Sequence, residues 1–105
     1  GSPDRGRLLE NAVYLQLRRS GYEIWYFKGK KECDFVYRQE KNVFSAIQVS
    51  WQVEQQNEKR EVEGLLEVMN ELNLTEGTII TFDQEDKFHK DGKTIRLIPG
   101  WKWMG

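Results

Sequence analysis

The sequence predicts an α/β domain in which helices pack on a mixed β-sheet. Three observations carry that prediction. Three short alternating segments, separated by tight turns, follow an amphipathic helix near the start of the chain. A second and clearer amphipathic helix spans about Asn57 to Leu72. An apolar run, Thr78 to Phe82, comes next and reads as a buried strand. Strands joined by short turns pair antiparallel, whereas a strand reached through a helix needs a crossover. The predicted order is therefore α-β-β-β-α-β with a C-terminal hairpin, a mixed sheet flanked by helices.

The first helix is expected from Pro3 or Asp4 to Ser20, with a cap and first-turn proline in Ser2-Pro3-Asp4 and a stop at Gly21. Leu9, Ala12, Val13, Gln16 and Leu17 form its inner stripe, and Glu10 borders it. Tyr22 to Lys28 is aromatic and alternating, a strong β signal. Cys33 to Arg38 and Val43 to Ser50 are the next two strands, with turns at Lys28 to Lys31 and Gln39 to Asn42. In the second helix Val62, Leu65, Leu66, Met69 and Leu72 face inward, and acids cover the other side. Lys87 to Lys90 and Lys93 to Ile98 make a hairpin around a type I′ Asp91-Gly92 turn, which Pro99-Gly100 ends. Trp101-Lys102-Trp103 closes the chain, its indoles the expected exposed pair and a candidate docking surface.

With 105 residues, the chain has room for one domain, residues 1–105. Four Trp, four Tyr and five Phe must supply much of so small a core. No apolar run is long enough to span a membrane and no signal-peptide pattern appears, so a cytoplasmic location is expected. The lone Cys33 forbids an internal disulfide and suits a reducing compartment. Gly1-Ser2 reads as an expression scar on a fragment.

Charge is unevenly spread. Residues 1–50 carry nine Lys/Arg against six Asp/Glu, or +3; residues 51–105 carry seven against eleven, or −4. So slight a basic excess excludes a strong electrostatic DNA footprint and predicts weak, salt-sensitive binding at most. Any phosphate contacts fall in the first half, on Arg18, Arg19, Lys28, Lys30 and Lys31. Trp25, Trp51, Trp101 and Trp103 are candidate stacking platforms, although core packing is the commoner use of such residues. His89, the only histidine, stands on the predicted hairpin with no second ligand at metal-binding spacing.

The suggestive constellation is Glu10 on the first helix, Asp34 on the second strand, and Gln48-Val49-Ser50 on the third. Gln48 and Ser50 share a strand face. Asp34 joins that face only if the hairpin pairs residues whose numbers sum to an even value.

This layout resembles the PD-(D/E)xK nuclease superfamily, with its restriction-endonuclease-like three-layer core. More closely, Gly6-Arg7-Leu8-Leu9-Glu10-Asn11, Cys33-Asp34-Phe35-Val36, Ile47-Gln48-Val49 and Ile98-Pro99-Gly100-Trp101-Lys102-Trp103 resemble the uncharacterised C-terminal domain of bacterial and archaeal AAA-type ATPases. The resemblance implies that Glu10, Asp34 and Gln48, with the Val49 carbonyl, would hold Mg²⁺, and that Ser50 occupies the place of the motif lysine. It also implies an upstream ATPase; the chain itself has no G-x-x-x-x-G-K-[ST] loop and cannot bind ATP by that route.

Gln48 removes a charge but keeps an oxygen donor, which Mg²⁺ tolerates. Ser50 is the graver departure, because a neutral hydroxyl cannot stabilise an attacking hydroxide; one lost group of that kind lowers rates by about 10²–10⁴-fold. Lys28, Lys30, Lys31 and Lys59 are candidates for a relocated lysine. A blander reading is also open: Glu10 as an acid favoured by the helix dipole, Asp34 bonded to a turn, Gln48 at a polar edge. Three functions follow as expectations. The first is a catalytically impaired nuclease-like accessory domain whose partner is its ATPase, another protein or DNA. The second is an active Mg²⁺-dependent endonuclease with a relocated lysine, and the third a self-associating structural module.

Overall fold

The computed structural model describes residues 3–28 and 32–105; the side chains of residues 3, 28 and 32–34 lie outside that description. Helix α1 (Pro3–Arg19) carries Asp4 in its first turn and Arg18 and Arg19 in its last, both complementary to the helix dipole. It ends at Gly21, whose φ of 78° turns the chain into β1 (Glu23–Lys28). β2 (Glu32–Glu40) and β3 (Val43–Val49) continue an antiparallel meander, as the short connections require. α2 (Glu58–Glu71) then carries the chain to β4 (Glu76–Thr81), which pairs parallel to β3. β5 (Asp86–Lys90) and β6 (Lys93–Pro99) form the expected hairpin, with Asp91 and Gly92 both at positive φ, the signature of a type I′ turn. β6 lies parallel to β4, so the strand order is β1-β2-β3-β4-β6-β5. The mixed α/β sheet anticipated from the sequence is the observed one.

Two differences from the sequence reading concern connections. β2 runs to Glu40, and the turn shrinks to Lys41 and Asn42, the latter at φ 64°. The irregularity at Gln39 shifts the register, so that Phe35 pairs with Ile47, Val36 with Ala46, Tyr37 with Ser45 and Arg38 with Phe44. Each pair sums to an even number. The second difference is α3 (Gly100–Met104), a turn of helix where only a chain end was expected. Pro99, extended at φ −62° and ψ 142°, starts it. Trp103 and Met104 pack against the core beneath α1, a tertiary contact that local propensity does not register. Trp103 is therefore half-buried, and only Trp101 is exposed, at 70%.

Each face of the sheet has its own core. Leu9, Val13 and Leu17 of α1 bury against Phe35, Tyr37, Ile47 and Ile80. Val62, Leu65, Leu66, Val68 and Met69 of α2 bury against Val36, Ala46, Ile79, Ile95 and Leu97. Alternation along β2 and β3 accounts for the division, odd positions facing α1 and even positions facing α2. α2 approaches closely at Gly77, where an added Cβ would stand 2.6 Å from Met69 Sδ and 2.9 Å from Leu65 Cδ2.

Beyond β3, Ser50 N–H donates to the Ile80 carbonyl (2.9 Å) and Phe82 N–H to the Trp51 carbonyl (3.0 Å), so the parallel pairing outlasts both strands. Gln84 then clasps the loop ahead of α2. Its Oε1 accepts from Val53 N–H at 2.6 Å and its Nε2 donates to the Val53 carbonyl at 2.9 Å.

Candidate functional site

Gln48 is the next-to-last residue of β3 and faces α2 among apolar neighbours, 8% exposed. Its Nε2 donates to Oε2 of Glu61, on the first turns of α2, at 2.7 Å. Glu61 is itself only 8% exposed. Among the described residues its ion-pair partner is Arg60, whose guanidinium stands 3.4 Å from Oε1 and whose side chain is 74% exposed. A surface pair so placed screens a buried carboxylate poorly. The bond to Glu61 also fixes how the Gln48 amide is turned, since its oxygen would repel the carboxylate. Gln48 Oε1 is thereby left buried, with no hydrogen-bond partner among the described residues. An orphaned carbonyl of this kind destabilises by about 1–3 kcal/mol.

Ser50, two residues on, is buried to the same degree. Its hydroxyl donates to the Gln52 carbonyl at 3.2 Å. Among the described residues no lysine amine bonds to Gln48, Ser50 or Glu61, and Lys59 is exposed on α2. Val49 faces the opposite way and packs against the α1-side core.

Asp34 lies in β2, but its side chain is outside the described residues. Its backbone sits at an irregularity: Trp25 pairs with Val36 and Phe27 with Cys33, which leaves positions 34 and 35 together opposite Tyr26. A bulge re-aims side chains and is common beside functional sites. The register with β3, continued by one residue beyond Phe35 and Ile47, sets position 34 opposite position 48.

Glu10 takes different neighbours. It lines an open groove on the α1 side with Arg7, Asn11, Tyr14, Tyr26 and Phe35. The described residues thus bring Gln48 together with Glu61 on one face of the sheet, while Glu10 stands over the other. Arg18 and Arg19 are exposed at the end of α1. Lys30 and Lys31 lie outside the described residues, as does the side chain of Lys28. Trp51 stacks on Phe82 at 4.4 Å with Arg5 over its ring, and Trp25 lies beneath Arg38. His89 is exposed on the hairpin, 3.2 Å from the Thr94 hydroxyl. Among the described residues no three of His, Cys, Asp and Glu gather.

Sequence reasoning passed over Glu61. A signal was present: Glu61 precedes Leu65 by one turn and Val68 by two, so it continues the buried stripe toward the start of α2. Reading it as one of the acids on the outer face overlooked that spacing.

Fold and polar pair together define an α/β domain with a mixed sheet, helices on both faces, and an amide–carboxylate contact buried beneath the second helix. A family described as "Domain of unknown function (DUF4143)" matches residues 5–103, and the chain belongs to it. It is also 34% identical over 114 aligned positions to the uncharacterized protein MJ1544 of Methanocaldococcus jannaschii, an alignment covering 97% of this chain and 25% of that protein. The chain thus spans about a quarter of the length of the curated relative it matches. Among the described residues no helix is long and apolar enough to cross a membrane.

Proposed function

We propose that the chain is a nuclease-like accessory domain of the PD-(D/E)xK type, catalytically impaired, serving an ATPase in the same parent chain as a binding or regulatory module. Its partner is the ATPase, a second protein or DNA. The observation that carries this reading is Ser50. It holds the place of the motif lysine, its hydroxyl is spent on the Gln52 carbonyl, and no described lysine bonds to it. The order α-β-β-β-α-β and the even-sum pairing of β2 with β3 fit the nuclease-like layout. A relative four times as long leaves room for a further domain.

If a divalent ion binds, its contribution would be to neutralise phosphate charge and polarise water. The residues able to hold it offer oxygen donors, which suits Mg²⁺ or Mn²⁺. Without a cation at position 50, a phosphate contact there would still lack the field that drives hydrolysis.

The test is cleavage of linear and branched DNA by the purified protein across a Mg²⁺ and Mn²⁺ series, run beside Asp34→Ala. The expected result is no cleavage by either protein. Cleavage by the wild type that Asp34→Ala abolishes would establish a working endonuclease and end this reading.

A further inference from the structure

We infer that the cleft where β3 and β4 part binds a small zwitterion with an apolar side chain, an aliphatic α-amino acid or a short peptide ending in one. The cleft opens at the start of β3, away from Ser50, and the inference stands whether or not the domain is nuclease-like.

The two strands are parallel neighbours over a short stretch only. Among the described residues their register holds from Ile47 with Thr78 to Val49 with Ile80, yet β3 starts at Val43 and β4 at Glu76. Their leading ends therefore diverge. The gap is a cavity of about 390 Å³, a size that suits a small organic molecule. Ser50 N–H reaches toward β4, to the Ile80 carbonyl, and alternate residues of a strand aim their peptide groups the same way. Phe44 and Ala46 accordingly direct theirs toward the gap, where neither has a registered partner on β4. Peptide groups at a strand edge invite another peptide group.

The charges of the lining narrow the ligand. Arg96 of β6 and Glu76 of β4 stand at the cavity 3.3 Å apart, with side chains 46% and 65% exposed. An exposed pair of that length contributes little and parts readily. One cation beside one anion is matched by a ligand carrying both signs. Its carboxylate takes the Arg96 guanidinium and its ammonium the Glu76 oxygens, whereas a ligand of one sign is repelled by one of the two. The rest of the lining fits the rest of an amino acid. Phe44, Ile47 and Leu74 offer apolar contact, and Tyr37, Ser45 and Thr78 add hydroxyl-bearing side chains to the wall.

The experiment follows amide NMR spectra of the protein as L-leucine, and separately the dipeptide glycyl-leucine, is titrated in. Saturable shifts at Ala46, Gly77 and Thr78 are expected from at least one of them, and the tighter of the two tells a free amino acid from a peptide end. Isocaproate, which lacks the ammonium, and isoamylamine, which lacks the carboxylate, should each bind about tenfold more weakly or worse, the usual contribution of a hydrogen bond to a charged group. Arg96→Gln should erase leucine's advantage over isoamylamine, and Glu76→Gln its advantage over isocaproate. Both positions are exposed, so the melting temperature should hold in each variant. If a variant fails to fold, the two analogues decide. No saturable shift with either zwitterion at millimolar concentration, equal binding of an analogue, or unchanged affinity in either folded variant overturns the inference. None of these readings involves DNA, so this titration and the nuclease assay fail independently.

Discussion

The two faces of the sheet handle polar groups in opposite ways. Beneath α2 the buried residues are all aliphatic: Val36, Ala46, Leu65, Met69 and Ile79 interlock, and Gly77 lets the helix sit close. Beneath α1 aromatic rings join the aliphatic residues, with Tyr22 stacked on Tyr37 at 5.4 Å and Tyr14 tilted against Phe35 at 6.0 Å. Branched aliphatic side chains close up and exclude water, whereas rings with hydroxyl tips keep polar ends within reach of partners. The same kind of residue therefore means different things on the two sides. Glu10, in an open groove, can be hydrated and implies little about chemistry. Gln48 and Glu61 have no such recourse, and their presence on the tight face calls for a reason.

That contrast can be broken by mutation, most severely in the α2 core. Leu65→Ala, at a position with no exposure, should destabilise the domain by about 2–5 kcal/mol in urea denaturation, because close packing leaves the cavity unfilled. Gly77→Ala tests the close approach itself. The new methyl meets Met69 and Leu65 and should be destabilising by about 1–3 kcal/mol; no loss would mean that the aliphatic face is not tight. Gln48→Leu leaves the buried Glu61 carboxylate without its donor, a larger cost than that of the orphaned carbonyl it removes, and should lower stability by about 1–3 kcal/mol. Glu10→Gln on the opposite face should change it by no more than about 0.5 kcal/mol, and similar values for the two would erase the distinction.

The smallest effect concerns the aromatic side and high pH. Burial pushes the Tyr37 hydroxyl above its ordinary 10, partly offset by its hydrogen bond to Ser45 and reinforced by neighbouring Tyr22. The unfolded chain then releases this proton at lower pH than the folded one. The Tyr37 contribution is complete below pH 10 and is lost as pH rises from there through the folded value. Tyr37→Phe should flatten that part of the stability profile, measured as the denaturation midpoint between neutral and alkaline pH.

Much of this was legible because local and tertiary demands agree. Leu65, Leu66 and Met69 recur at helical spacing, and the helix they predict buries those residues. Asp91-Gly92 predicts its turn because few other dipeptides accept two positive φ angles. What was hidden depends on contacts distant in sequence. α3 forms where Trp103 and Met104 meet the α1-side core, and a Pro-Gly pair conceals it. Gln48 was legible as a candidate, yet its partner was not, since a hydrogen bond across 13 residues exists only once α2 is docked. The register of β2 against β3 rests on one irregular residue, Gln39, which alternation cannot foresee.

The clasp made by Gln84 has a mechanical consequence. One side-chain amide copies the two hydrogen bonds a neighbouring strand would give to Val53, and it couples the approach to α2 with the segment leaving β4. Thr81 Oγ1 anchors that segment in turn, accepting from Gln84 N–H and donating to its carbonyl, each at 2.9 Å. A force applied to either loop is shared by both, and a ligand that tightens one stiffens its companion across the end of the sheet.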